Sequence, residues 1–148
     1  MDEIFAKLQS ICGPGYVTNE YVDLIAYRRD CGPTPGELPG YVCRPRSTEQ
    51  VVEIVKFANE IKKPLFIWGR ATTFLGNGVL NGCIVLPLDL INKFEIDLEN
   101  QVVHADTGTV WHAIDGELKK YGWELTAPGG GGLFSASVGG TIAYNAVP

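Results

Sequence analysis

Residues 67–78, Ile-Trp-Gly-Arg-Ala-Thr-Thr-Phe-Leu-Gly-Asn-Gly, hold the densest set of groups able to bind an anion. Arg70 offers a guanidinium and Thr72 and Thr73 offer hydroxyls, while Gly69, Gly76 and Gly78 permit turns that let backbone N–H groups converge on phosphate oxygens. The segment follows the apolar run Pro64-Leu-Phe-Ile-Trp68, so a strand halting in small and hydroxyl residues is expected. Neither a Walker nor a Rossmann spacing is present, and from this loop alone an ordinary strand-to-loop junction is the commoner explanation. A second unusual stretch, Pro128-Gly-Gly-Gly-Gly132, runs through Leu133-Phe-Ser-Ala-Ser137 into Val138-Gly-Gly-Thr-Ile-Ala-Tyr-Asn-Ala146. Four consecutive glycines carry a large ordering cost, so either the stretch is a mobile loop or something approaches its backbone closely.

The other reactive residue types form no constellation. Cys12, Cys31, Cys43 and Cys83 show no C-x-x-C and no cluster with His104 or His112, so free, buried or half-buried thiols are expected in place of a metal site or redox pair. His104 is expected in a hairpin and His112 on an amphipathic helix, both structural or solvated. Trp111 and Trp123 read as core residues. No catalytic residue is assigned.

The elements that must position the two stretches follow from periodicity. Ile4, Phe5, Leu8 and Ile11 make a helical stripe ended by Gly13-Pro14-Gly15. Residues 18–27 read as a second short helix capped at Thr18 or Asn19, and the Pro/Gly-rich residues 30–40 as an ordered loop or linker. Tyr41-Val-Cys-Arg44 reads as a strand. Ser47 and Gln50 form a capping box opening a helix to about Lys62, with Val51, Val52, Ile54, Val55 and Ala58 as its apolar face. Residues 65–68 then complete a β-α-β unit, and the anion-binding loop leaves the carboxyl end of its second strand, where α/β proteins tend to bind ligands. Cys83-Ile-Val-Leu-Pro-Leu88 reads as a buried strand, and residues 94–98 and 101–105 as the arms of a hairpin with one wet face. Thr109 can cap a helix that ends at Gly122, with Lys119 and Lys120 suiting its dipole.

At 148 residues, 45% hydrophobic and 20% charged, the chain is one soluble globular domain or most of one. A net charge of −5 and a pI near 5.0 argue against nucleic-acid or basic membrane-surface binding, so a bound anion must be held by local geometry. No apolar run approaches the roughly 20 residues of a membrane helix. The acidic start Met1-Asp-Glu-Ile is unlike a signal peptide, and the cytoplasm is the expected location.

In order and separation, four pieces resemble the amino-terminal half of the FAD-binding domain of FAD-linked oxidases, the family of vanillyl-alcohol oxidase, p-cresol methylhydroxylase and glycolate or D-lactate dehydrogenases. They are Tyr41-Val-Cys-Arg-Pro-Arg-Ser-Thr-Glu-Gln-Val-Val, Trp68-Gly-Arg-Ala-Thr-Thr-Phe-Leu-Gly76, Ile84-Val-Leu-Pro-Leu-Asp89 and Ser137-Val-Gly-Gly-Thr-Ile-Ala-Tyr-Asn-Ala146. The resemblance implies an α+β fold: a small parallel β-α-β subdomain, then the start of a second, mostly antiparallel α+β subdomain, incomplete at the carboxyl end. It divides the chain into a helical segment and linker, residues 1–37, and a truncated FAD-binding domain, residues 38–148.

The resemblance also implies which residues meet the cofactor. Trp68, Gly69, Arg70, Ala71, Thr72, Thr73 and Gly76 fall at the FAD diphosphate. Pro128, Gly129, Ser137, Gly139, Gly140 and Asn145 fall toward the ribityl and flavin portions. Where one branch of the family has a run of glycines this chain has Arg70 and Ala71, and Gly69-Arg70 fits the vanillyl-alcohol branch better. Relatives that attach flavin covalently through this loop use His there; this loop has none, so non-covalent FAD is implied. The implied function is oxidation of a small 2-hydroxy acid, glycolate- or D-lactate-like, or of a para-substituted phenol by hydride transfer to FAD. The alternative is a non-catalytic flavin-binding subunit or fragment that needs a partner chain or a missing carboxyl-terminal domain. Neither nucleic acid nor a transmembrane segment enters either reading.

Overall fold

The computed structural model describes residues 2–74, 76, 78–125 and 135–146. The most apolar strand occupies the centre of the fold. β4 (Ile84–Pro87) is buried along its whole length and lies between β2 (Tyr41–Cys43) and β3 (Leu65–Trp68), parallel to both. The expected β-α-β crossover is present, but its two strands are separated by β4, because a run that can satisfy both sheet faces displaces the more exposed β3 to the edge. β1 (Val17–Thr18) pairs antiparallel with β2 and closes the other edge.

Alternation along β4 divides the core. Ile84 and Leu86 face one side, where Leu8 and Cys12 of α1 (Glu3–Cys12) pack with Ile54 and Ala58 of α3 (Thr48–Glu60). Cys83 and Val85 face the other side, with Leu24, Val42, Val79, Phe66 and Trp68. Three of the four thiols are buried, and Cys31 is exposed.

α3 starts as its sequence directs: Ser47 Oγ accepts from Gln50 N at 3.4 Å. The reciprocal half of the box is shifted by one residue, since Gln50 Oε1 accepts from Arg46 N at 2.8 Å. Val52 and Val55, expected on the buried face, stay 43% and 37% exposed. The helical period places Val51, Ile54 and Ala58 on one face and turns these two past its margin.

Residues 18–27 also depart from expectation. Thr18 belongs to β1, its hydroxyl accepting from Glu20 N and donating to Asp23, so helix α2 (Tyr21–Leu24) starts later and tightens into a 3-10 turn at Ile25–Arg28.

The second part of the chain is the hairpin β5 (Phe94–Asp97) and β6 (Val102–Ala105), followed by α4 (Trp111–Leu118) and α5 (Val138–Ala143). Thr109 does not cap α4. It is buried, its hydroxyl donates to Lys93 O at 3.1 Å, and Val110 occupies the cap position. Lys119 and Lys120, beyond the last turn of α4, pair with Asp115 and Glu117. Trp123 is 41% exposed and not core. The whole is α+β, a parallel unit followed by an antiparallel one. Among the described residues no helix is long and apolar enough to cross a membrane.

The two parts meet at Gly108, whose N–H donates to Ile91 O at 2.8 Å. A Cβ there would fall on Leu88 O and lie 2.7 Å from Ile91 O, backbone atoms that cannot swing aside. Gly116 within α4 has open space around it. Gly108→Ala should therefore destabilise by about 1–3 kcal/mol or more, as overpacking does. Gly116→Ala should stabilise by roughly 0.5–1 kcal/mol through helix propensity. Urea unfolding of the two variants checks the opposite signs.

Candidate functional site

Parallel strands deliver their carboxyl ends to the same edge, and here β3 and β4 stop side by side, with Leu88 N donating to Trp68 O at 3.1 Å. The chain leaves β3 through Gly69 and β4 through Leu88, and both border a cleft of about 390 Å³. Its opposite wall is Thr107, just after β6, together with Ser137, Gly139, Gly140, Ala143 and Tyr144 on α5. Such a volume lies at the small end of the range of roughly 300–1,000 Å³ that suits small ligands and parts of cofactors.

Hydrogen bonds fix α5 against the hairpin's exit. Val138 N donates to Thr109 O at 2.8 Å, Gly139 N to Thr107 O at 2.9 Å and Trp111 N to Ala136 O at 3.2 Å. Trp111 Nε1 donates to Thr141 Oγ1 at 2.9 Å. Ser137 is buried and its Oγ accepts from Gly140 N at 3.3 Å. A Cβ on Gly139 would collide with Thr107 Oγ1 and lie 2.8 Å from Thr107 Cβ, so the missing side chain makes room for the protein's own Thr107.

The two glycine-containing stretches, far apart in sequence, come close together: a Cβ on Gly69 would stand 3.1 Å from Ser137 Oγ and 3.8 Å from Gly140 Cα. The structure thus gathers Gly69, Ser137, Gly139 and Gly140 around one cleft. The other candidates lie elsewhere. Trp68 turns into the core, edge-on to Tyr27 and Phe66 at centroid distances of 5.2 and 6.1 Å. Burial raises the Tyr27 phenol above its ordinary value, against the opposing pull of the Arg44 guanidinium. Gly76 faces Thr34, and Asn145 sits past α5 with φ 51° and donates to Ile142 O. Pro128 and Gly129 lie outside the described residues.

Arg70, Ala71, Thr72 and Thr73 run along the turn at Cys31, whose N–H is shared between Ala71 O at 3.2 Å and Thr73 O at 3.1 Å. In a trans peptide the C=O of one residue and the N–H of the next point in opposite directions. With the Ala71 and Thr73 carbonyls tied to Cys31, the N–H groups of Thr72 and Phe74 therefore face away from it. Among the described residues, the N–H groups of Gly69, Arg70, Ala71 and Thr72 have no acceptor within the chain. Ala71 holds φ 54°, a region side-chain-bearing residues seldom adopt. Consecutive unclaimed amides on a twisted backbone form an anion cradle, and they fit the diphosphate of a dinucleotide. Among the described residues the cleft lining has no carboxylate, amine or imidazole, and the Tyr144 phenol is its one ionisable side chain.

Residues 39–148 match the FAD binding domain family. The chain belongs to that family. Within the FAD binding domain family it is 35% identical, over 106 residues, to D-lactate dehydrogenase of Archaeoglobus fulgidus, covering 71% of this chain and 24% of that one. It is 31% identical to the mitochondrial D-lactate dehydrogenase [cytochrome] of Arabidopsis thaliana, covering 72% of this chain and 18% of the relative. The chain thus spans about a quarter or less of the length of the curated relatives it matches. The structure of p-cresol methylhydroxylase with substrate bound superposes at a TM-score of 0.87 and 20% identity, covering 99% of this chain and 30% of that one. 4-Ethylphenol oxidase from Gulosibacter chungangensis does so at 0.77 and 25%, covering 95% and 29%. The expected fold and FAD as cofactor accordingly stand.

Sequence reasoning missed Thr107, Leu88, Ile67, Ala143 and Tyr144 on the cleft and the Cys31 turn behind the loop. For Thr107 a signal existed: Asp106-Thr-Gly-Thr109 is, like residues 69–73, a strand halted by small hydroxyl residues.

Asp115 anchors the chain where it leaves this region, pairing with Lys119 at 2.6 Å and accepting from Leu125 N at 3.3 Å. Lys119 first, and then the Leu125 amide, hold its carboxyl below the usual aspartate value. Its contribution to stability is therefore full above the unfolded value of about 3.9 and is lost as pH falls through the lower folded value. The gap in melting temperature between the chain and Asp115→Asn should be present at neutral pH and close in acid below about pH 4, which melts across a pH series would show.

Proposed function

We propose that this domain holds FAD non-covalently, with Gly69, Arg70, Ala71, Thr72 and Thr73 at the diphosphate and Ser137, Gly139 and Gly140 along the ribityl and flavin portions, in a flavin-dependent oxidoreductase acting on a small 2-hydroxy acid. The observation that supports this reading is the close approach of Gly69 to Ser137, which brings the first of the unclaimed loop amides and the α5 wall to one cleft. Bound FAD supplies the hydride-accepting chemistry. The protein's own residues bind and orient. Loop amides offer oriented dipoles, which an acidic protein needs in order to hold a diphosphate, and the Arg70 guanidinium adds a mobile charge at the same loop. No histidine or cysteine lies in residues 67–78, which supports non-covalent binding.

A 2-hydroxy acid is favoured over a phenol because D-lactate dehydrogenases are the named relatives at 31–35% identity. A para-substituted phenol keeps the support of the 4-ethylphenol oxidase likeness, at 25% identity.

The purified chain should take up FAD, retain flavin absorbance through desalting and release it on denaturation. Gly69→Val, which thrusts branched carbons at Ser137 Oγ, should raise the FAD Kd at least tenfold, or about 1.4 kcal/mol. In the protein as its source organism makes it, D-lactate or glycolate should bleach the flavin and drive reduction of an artificial electron acceptor, while 4-ethylphenol should not. Flavin uptake with no reduction by any of these substrates would reassign the domain as a non-catalytic flavin-binding subunit.

A further inference from the structure

Behind the cofactor loop lies a carboxylate with an unfinished set of bonds. Asp30 is 7% exposed; its Oδ1 accepts from Gly32 N at 2.7 Å, while Oδ2 is buried with no partner, the one such side-chain atom among the described residues. Leaving a buried carboxylate oxygen unpaired is costly, and a native fold that does so keeps the acceptor for something. Asp30 begins the turn that grips the loop. Cys31 N holds Ala71 O and Thr73 O, and Gly32 is pressed so near that a Cβ on it would lie 2.7 Å from Phe74 O, 2.9 Å from Gly76 N and 2.9 Å from Asp30 Oδ1. Asp30 Oδ1 and the Gly76 amide thus flank one point, which places the carboxylate bearing the free Oδ2 beside that amide, and the amide donates to no acceptor among the described residues.

We propose that Asp30 is a positioning residue for the cofactor diphosphate: its free Oδ2 accepts a loop N–H, that of Gly76, when FAD draws the loop closed. This rests on the reading of residues 69–73 as the diphosphate cradle. Oδ1 braces the Asp30–Gly32 turn, Cys31 tethers the first half of the loop, and Oδ2 secures the second. With carbonyls and the last amide anchored behind, the outward amides of Thr72 and Phe74 are held in place for the anion, and less loop entropy is lost on binding. By Coulomb's law alone a buried negative charge near a diphosphate should weaken binding, so charge and geometry predict opposite outcomes for one substitution.

Asp30→Asn preserves size and the bond from Gly32 N but puts an NH₂ donor where the loop amide requires an acceptor; a flipped amide would instead lose the Gly32 bond. The expected result is a rise in FAD Kd of tenfold or more by flavin fluorescence titration, with the melting temperature of the cofactor-free protein within about 3 °C of the parent. FAD should also protect the amides of residues 69–74 and 76 from hydrogen exchange in the parent and fail to do so in Asp30→Asn. FAD binding by Asp30→Asn as tight as or tighter than the parent's overturns the proposal while leaving the cradle reading intact. Absence of FAD uptake by the parent itself overturns both. Should Asp30→Asn prove unfolded, Gly32→Ala, which wedges a methyl group between Asp30 Oδ1, Phe74 O and Gly76 N and leaves the charge unchanged, must raise the Kd likewise, and unchanged binding in it overturns the proposal.

Discussion

The backbone of Gly108 resting on the carbonyls of Leu88 and Ile91 is the contact on which the arrangement depends. Leu88 is where the buried central strand β4 emerges, one bond from the end of β3. Docking the hairpin unit there, with no side chain between, brings Thr107 and Thr109 close enough for their carbonyls to receive Gly139 and Val138. α5 is thereby held over the carboxyl ends of β3 and β4, and the cleft exists because that approach is made. A methyl group at Gly108 would separate the two walls as well as strain the joint.

The loop leaving β3 reverses the usual logic of a stable fold. Buried or half-buried backbone amides ordinarily find acceptors, yet among the described residues Gly69 to Thr72 leave theirs unclaimed while the carbonyls of Ala71 and Thr73 are drawn to Cys31, and Ala71 holds an unfavourable φ. Stability is supplied elsewhere, by a core in which β4, α1 and α3 bury Leu8, Ile54, Ile84 and Leu86 completely. A protein of net charge −5 cannot attract a diphosphate through its overall field. Fixed dipoles act at short range and need no net charge, which suits a proposed binding surface made of main chain and small residues with a single arginine.

Much of this was legible in the sequence because the signals were local. The strand at 65–68, the helix after Ser47, the hairpin and the loop of small residues each announce themselves within a dozen residues. What escaped was set by tertiary contact. Nothing near residue 84 says that β4 inserts between β2 and β3, although its uninterrupted apolarity fits a central place. Thr18 and Thr109 have the chemistry of helix caps, but a neighbouring strand claims the first and the Lys93 carbonyl claims the second. Gly139 could be read as yielding space to a ligand, whereas the space is filled by Thr107, a residue thirty-two positions earlier. Asp30 looked like linker because its importance lies in what it stands behind.

Proteins that share this fold carry names with chemically unlike substrates, D-lactate on one side and p-cresol or 4-ethylphenol on the other. A cradle of main-chain amides and a wall of Ser137, Gly139 and Gly140 offer nothing that distinguishes a hydroxy acid from a phenol, and among the described residues the cleft lining has no carboxylate, amine or imidazole. The proposed cradle is therefore indifferent to substrate. On that reading the chain's part is to set how firmly a cofactor is held and at what angle, and the close backbone approaches at Gly32, Gly69, Gly108 and Gly139 set the geometry for it.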